Sequence, residues 1–599
     1  MALRVSGLLL LTVLSCVSTG AQAQEPADLI LINAKLWTAE ESQPLAEAVA
    51  IRGNRIVAVG SLDEINKLAR YGRTRVLDLQ GRLVLPGFID NHTHFASAGR
   101  LLLGLNLLDV NDAEKFRQRV AEGAARLPAG AWLVGGDWGA YAQWAMSSAG
   151  EKQKKDDAEA QRTQSSAEFL PTKDLIDGVT GDHPALISRF DGKLHLANSL
   201  ALQAAGITKD APNSPDGEIV RDPRGEPTGL LRGSAAEIVR KVIPRASYQQ
   251  RRAEALRALE EARRWGVTGI HDNSNFDSLA LFQDLQREGL LTSRVWARMP
   301  LSDWEKVRDY IREHKLTQHK GAWGDDFIRL GGLKAWVDGI MGNFTALFWE
   351  PYDHTPESYG RLRPVMSPEG NLQRLMMGAD RAGFTITVHA IGDWANHILL
   401  DTYQRVLAQN PPRERRHRVV HAQVVDPADL PRFGKLGLMA EVQPYHCTDD
   451  MRWMEERIGA RSRFAYTFRS LQRSGAVMSF GSDWPGTNAS YYPINPLMGI
   501  YAAVTRQTLK GEPAAGWFPA ERLTMDEAVR WFTLNNAWAT FEEDSRGSIK
   551  AGKLADLVVL DRDIFSRPPR ELLDTKVLYT ILDGRIVFEA QVSPASSRP

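Results

Sequence analysis

The sequence predicts an α/β protein: a (β/α)8 TIM barrel, a small β domain assembled from both chain ends, and a large insertion after the first barrel strand. Three observations predict it. Eight apolar, β-rich runs end in polar or glycine-containing turns and are followed by helical patterns, as a parallel barrel requires. Short alternating segments crowd both termini. Residues from about 105 to 245 separate the first run from the second, far more than a βα loop holds.

At the amino end, Arg4, the apolar run 8–14 and Ala21-Gln22-Ala23 before Gln24 read as a secretory signal over residues 1–23. The run is too short to span a bilayer, so a secreted or periplasmic protein is expected, with no stable membrane span after signal removal. Cys16 offers the alternative of a lipoprotein anchor. Cys16 and Cys447 are the only cysteines, which leaves one thiol after the signal, no intrachain disulfide and no cysteine-rich zinc site.

Segments 29–34, 48–60 and 75–84 alternate and turn, and Gly53-Asn54 between apolar runs is a hairpin signal. A similar texture returns at 547–561 and 577–588. The β domain is therefore placed at 24–84 plus 541–599, with the barrel chain, 85–540, inserted between its parts.

The eight runs are 83–94, 266–272, 293–299, 327–338, 384–389, 417–423, 438–443 and 476–483. The insertion contains strand-like pieces at 132–136 and 185–189, while 147–167 is charged and lacks apolar periodicity, as a solvated loop or disorder would. Composition is that of a soluble globular protein, 43% hydrophobic and 24% charged. Its 73 basic and 73 acidic residues offer no field for nucleic acid. A small-molecule substrate is the expected partner, and a homo-oligomer is left open.

In Pro86-Gly-Phe-Ile-Asp-Asn-His92-Thr-His94, two imidazoles at i and i+2 share one face of a strand at its carboxyl end, where barrel enzymes keep their sites. Both reach one ion, and imidazole is a common ligand for divalent metals. In Thr385-Ile-Thr-Val-His389, alternation turns His389 inward, and His421, ending His417-Arg-Val-Val-His, has the same parity one strand later. Asp483 closes the last apolar run, Ala476-Val-Met-Ser-Phe-Gly-Ser-Asp; as an alternative to capping the next segment, a carboxylate there can shuttle a proton beside a metal.

Lys334 lies in a strand too apolar to hold a lysine without cause, Ile328-Arg-Leu-Gly-Gly-Leu-Lys-Ala-Trp-Val-Asp338. Read from the strand alone, it pairs with Asp338, which shares its face at i+4; burial would instead free its amine. Trp138, Trp336, Asp338, His446 and Trp484 are candidates for substrate contact.

These segments, with Val388-His389-Ala-Ile-Gly-Asp393, Gly481-Ser-Asp483-Trp-Pro and Gly552-Lys-Leu-Ala-Asp556-Leu, resemble the amidohydrolase superfamily, and within it the amidohydrolase family 3 branch of YtcJ-like proteins and N-substituted formamide deformylases. The likeness runs from about residue 28 to 590. It implies a composite β-sandwich from both chain ends around a distorted barrel. It also implies two divalent ions, zinc or alternatively Mn, Fe or Co: His92 and His94 on one, His389 and His421 on the other, and Lys334 carboxylated on its amine to bridge them. Asp483 then binds metal and carries a proton from the attacking water to the departing amine. One departure stands out, because relatives carry a histidine directly after Asp-Gly, whereas this chain reads Asp191-Gly-Lys193-Leu-His195. His195 or Lys193 is the expected stand-in.

The reading that follows is metal-dependent hydrolysis of a C–N bond in an amide, N-substituted formamide or related compound. A mononuclear deaminase or cyclic-amide hydrolase with unmodified Lys334 is the second reading. A catalytically silent regulatory or binding protein of the same fold is the third, since some relatives carry regulatory names.

Overall fold

The computed structural model describes residues 25–139, 169–487 and 490–591. The expected signal, Cys16 and the charged segment 147–167 lie outside the described residues. No helix among the described residues is long and apolar enough to cross a membrane.

Eight parallel strands form a nearly closed barrel: β1 (Phe88–Thr93), β2 (Val267–Asn273), β3 (Arg294–Pro300), β4 (Ile328–Trp336), β5 (Thr385–Ala390), β6 (Arg418–His421), β7 (Met439–Val442) and β8 (Val477–Phe480). All eight fall within or beside the runs read from the sequence. They are buried on both faces, the condition that makes parallel strands read as nearly continuous apolar runs. The seam between β8 and β1 is carried just past the strand ends, where Asp483 N–H donates to the His92 carbonyl at 2.9 Å and His94 N–H to that of Trp484 at 2.8 Å. Gly481 permits this approach, since a Cβ there would sit 2.2 Å from Asn91 Oδ1.

The first apolar run divides. Leu83–Pro86 pairs antiparallel with Leu557–Leu560 in a six-stranded sheet outside the barrel, and the barrel strand begins only at Phe88. Gly87 lies at the break, where a Cβ would stand 2.2 Å from Thr268 Oγ1. The six-stranded sheet runs Arg585–Glu589, Val577–Leu582, Leu557–Leu560, Leu83–Pro86, Lys35–Trp37, Leu45–Ala46, so both chain ends contribute. A four-stranded sheet holds Leu29–Ile32, Ala48–Arg52, Arg55–Gly60 and Arg75–Asp78, with the hairpin turning at Gly53-Asn54. Leu31, Val49 and Ile51 from one sheet and Leu36, Val84, Leu557 and Ile581 from the other share one buried apolar cluster.

Between β1 and β2 the chain builds a third sheet, in the order Gly217–Arg221, Pro227–Gly233, Leu194–Ala197, Ala185–Arg189, Leu133–Trp138, Leu105–Asn106. It has its own core, in which Trp138 stands edge-on to Phe116 at 5.8 Å. Buried charge ties the barrel to the chain-end sheet: Arg294 donates to both oxygens of Asp556 at 2.7 and 2.9 Å and to Asp583 at 2.9 Å.

Candidate metal centre

Strand alternation on β1 brings His92 and His94 to the same end of the barrel. His92 Nδ1 lies 3.0 Å from Glu441 Oε1, which places the ring proton there and leaves Nε2 bare. Asp483 Oδ1 lies 3.3 Å from that Nε2 and 3.2 Å from His94 Nε2. Asn273, ending β2, sets its amide Nδ2 3.2 Å from both nitrogens. His421 is oriented in the same manner as His92, with Nδ1 2.7 Å from Gln443 Oε1. The second oxygen of Asp483 faces His446 Nε2 at 3.7 Å. Two donor groups thus share Asp483: His92 with His94, and His421 with His446, each with its atoms within 4.8 Å of one another.

His389 packs against His421, ring centroids 4.5 Å apart. Its Nε2 is 2.9 Å from the Gly339 carbonyl and 3.3 Å from Asp338 Oδ1, so that nitrogen is already engaged. Strain gathers at the same place. His421, Ala422 and Asp483 hold φ of 74°, 42° and 60°, a region costly for residues with a Cβ.

Electrostatics favour ligand-ready forms. Burial, reinforced by Arg298, pushes His92 far below the ordinary imidazole range, and burial with His389 nearby does the same to His421, so both are neutral. Burial alone would raise the Asp483 carboxyl, but the hydrogen bond and charge of His94, together with the other charges around it, bring it below the ordinary carboxylate value. Asp90, beneath the seam, is raised by burial to about 7 while accepting the His92 and Ser482 N–H groups. Neutral imidazoles and a carboxylate converging on shared space are a donor set that fits a divalent metal.

Lys334 is buried on β4 and its amine has no hydrogen-bond partner; burial, with Arg298 close by, drives its pKa far below that of a free lysine. The pair with Asp338 does not form. Four residues of strand rise roughly 13 Å, and the Asp338 oxygens accept the N–H groups of Leu347 at 2.8 Å, Ile391 at 3.1 Å and Gly392 at 3.0 Å.

A cavity of about 310 Å³ opens over these groups, with Trp336, Met341, Arg363, Trp453 and Tyr492 among its walls. Of the residues expected to touch substrate, Trp336 and His446 line it. Asp338 is buried behind His389, and Trp484 packs edge-on against Phe95 at 5.9 Å. Trp138 and His195 belong to the third sheet instead: the first is core, and the second has Nδ1 3.1 Å from Ser188 Oγ and Nε2 3.2 Å from the Gly192 carbonyl. Neither lines the cavity.

Sequence reasoning missed Asn273, Glu441 and Gln443. Glu441 carried a usable signal, a charge inside the apolar run 438–443, the same anomaly that marked Lys334. It accepts from Arg298 at 2.5 Å and Arg418 at 2.8 Å, while Gln443 two residues on shares its strand face and serves the next histidine.

Comparison with known proteins agrees with this architecture. A model of the amidohydrolase family matches residues 75–588. Protein LONG AFTER FAR-RED 3 of Arabidopsis thaliana is 33% identical over 577 residues, covering 94% of this chain and 92% of its own. The N-substituted formamide deformylase of Arthrobacter pascens is 26% identical, covering 94% and 98%. An uncharacterized metal-dependent hydrolase from Pyrococcus horikoshii OT3 shares the fold with a TM-score of 0.70 at 24% identity, over 90% of this chain and 99% of its own. With a family match across most of its length and the expected motifs gathered at one end of a parallel barrel, the chain belongs to the amidohydrolase family.

Proposed function

We propose that this protein is a metal-dependent hydrolase that cleaves a C–N bond in a small molecule, an amide, N-substituted formamide or related compound. The observation that carries the reading is the Asp483 carboxylate, one oxygen turned to His92 and His94 and the other to His446, at the base of the cavity. The deformylase relative supports the bond class. A divalent ion bound there acidifies water and polarises a carbonyl oxygen. His92 and His94 would hold it, with Glu441 fixing the His92 tautomer. Asp483 accepts the proton released by the attacking water and delivers it to the departing nitrogen.

The amine of Lys334, buried without a hydrogen-bond partner, supports the finer reading that it is carboxylated and joins two ions, zinc by preference, with His389 and His421 on the second. The shared cluster between the two chain-end sheets supports a composite β-sandwich, and the third sheet with its own core supports an insertion between β1 and β2. Export to the periplasm or beyond, with Cys16 as the alternative anchor, rests on the amino-terminal sequence.

The test is a panel of amides, formamides, lactams and esters offered to the zinc-loaded protein, with Asp483→Asn as control. Hydrolysis of at least one class is expected, falling about a thousandfold in the variant, within the usual range for a general acid–base group. If nothing is hydrolysed while Asp483→Asn keeps the protein's biological effect, the silent regulatory reading replaces this one.

A further inference from the structure

We infer that His446 is a metal ligand: with His421 and Asp483 Oδ2 it holds a second ion beside the His92–His94 ion, leaving Asp483 Oδ1 to carry the proton. This rests on the metal-dependent reading above and deepens it, since it moves His446 from the substrate wall into the metal site.

His446 sits in the helix Pro444–Asp450 that follows β7 and is almost wholly buried. Its ring is held in place on two sides: it stacks on Tyr492 with centroids 3.8 Å apart and lies nearly parallel to His421 at 5.9 Å. After all this, Nε2 remains buried with no hydrogen-bond partner. A buried polar atom left so calls for a further partner, an ion or a water.

The atom it faces decides what that is. Asp483 Oδ2 stands 3.7 Å away, too far for a hydrogen bond and close enough that one cation could contact both. His421 supplies the third donor, its Nδ1 already turned to Gln443. The His421 ring therefore has an outer partner that orients it, as metal-bound histidines usually do, while His446 is held by its stack on Tyr492. His389 differs, because its Nε2 is taken by the Gly339 carbonyl and only Nδ1 is left to reach an ion.

The experiment is a Co(II) titration of chelator-stripped protein, reading ions per chain by elemental analysis and the cobalt signal by electron paramagnetic resonance. His446→Gln and His446→Leu remove the donor at similar size, so that one folded variant suffices, and His446→Cys restores one. The wild type is expected to bind two ions with a coupled, attenuated signal. His446→Gln or His446→Leu binds one ion with a full mononuclear signal, and His446→Cys recovers the second. Two ions retained in folded His446→Gln or His446→Leu overturn the inference, as does a wild type that binds only one. A wild type that binds none overturns the metal-dependent reading itself.

Discussion

Inside the barrel, behind the histidines of the mouth, Arg298 and Arg418 grip the two oxygens of Glu441, and none of the three is exposed to solvent. At the mouth, by contrast, His446 Nε2, Lys334 Nζ and one oxygen of Asp90 are buried without hydrogen-bond partners, and His421 and Asp483 hold left-handed backbone. The first region uses charge to fix a shape, two guanidinium groups sharing one carboxylate, although Arg298 Nε and Arg418 Nε are themselves buried without hydrogen-bond partners. The second holds neutral rings and a lone carboxylate under strain around a shared space, an arrangement that pays off only when a further group binds there. Glu441 joins the two, since the oxygen that meets Arg298 also orients His92.

The contrast can be broken most strongly at Glu441. Glu441→Ala leaves two buried guanidinium groups without their counter-charge and is expected to cost about 3–5 kcal/mol of stability, measured by urea unfolding. In the same variant His92 loses its orienting partner, and Co(II) affinity should fall roughly 10–100-fold. An unfolding midpoint like that of the wild type would show that the inner charges are not what fixes the barrel. Asp483→Asn sharpens the comparison from the other side: an amide of the same size can still meet His94, and unfolding free energy should change by no more than about 1.5 kcal/mol, although catalysis collapses.

Two smaller effects test whether paired charge also ties the outer elements. Arg294→Lys cannot reproduce the fork onto Asp556 and Asp583 and should cost about 2 kcal/mol in chemical denaturation. Asp380 gives the pH dependence. Burial would raise its pKa, but hydrogen bonds from His417 and Arg415 outweigh burial and hold it below the ordinary carboxylate value. Its contribution is therefore complete above the unfolded value near 3.9 and is lost as pH falls below it. Melting temperatures recorded from pH 5 to 3 should decline less steeply in Asp380→Asn than in the wild type; equal slopes would remove Asp380 from the account.

What the chain discloses by itself follows physical range. The eight strands were legible because parallel strands covered on both faces must be apolar along their length, and parity along β1, β5 and β6 was enough to gather His92, His94, His389 and His421. The break at Gly87 was not, because the two halves of that run pair with different partners distant in sequence, Leu557–Leu560 and Val267–Asn273. Asn273 and Gln443 look like ordinary polar residues at strand ends until β2 meets β1 and β7 meets β6. Trp138 and His195 lie in a sheet with its own core, so their position in the sequence gave no clue that they would turn away from the cavity. Lys334 needed its surroundings as well: parity alone suggested Asp338, and only the geometry of an extended strand separates the two.

The central claim is that the mouth hydrolyses a C–N bond by means of a bound divalent metal. It is tested most directly by following amine release from the best formamide or amide of the panel before chelation, after chelation, and after a divalent metal is restored. The account predicts release that is lost on stripping and recovered on reloading. Release that survives complete removal of metal, or its absence from fully loaded protein across the whole panel, would contradict it.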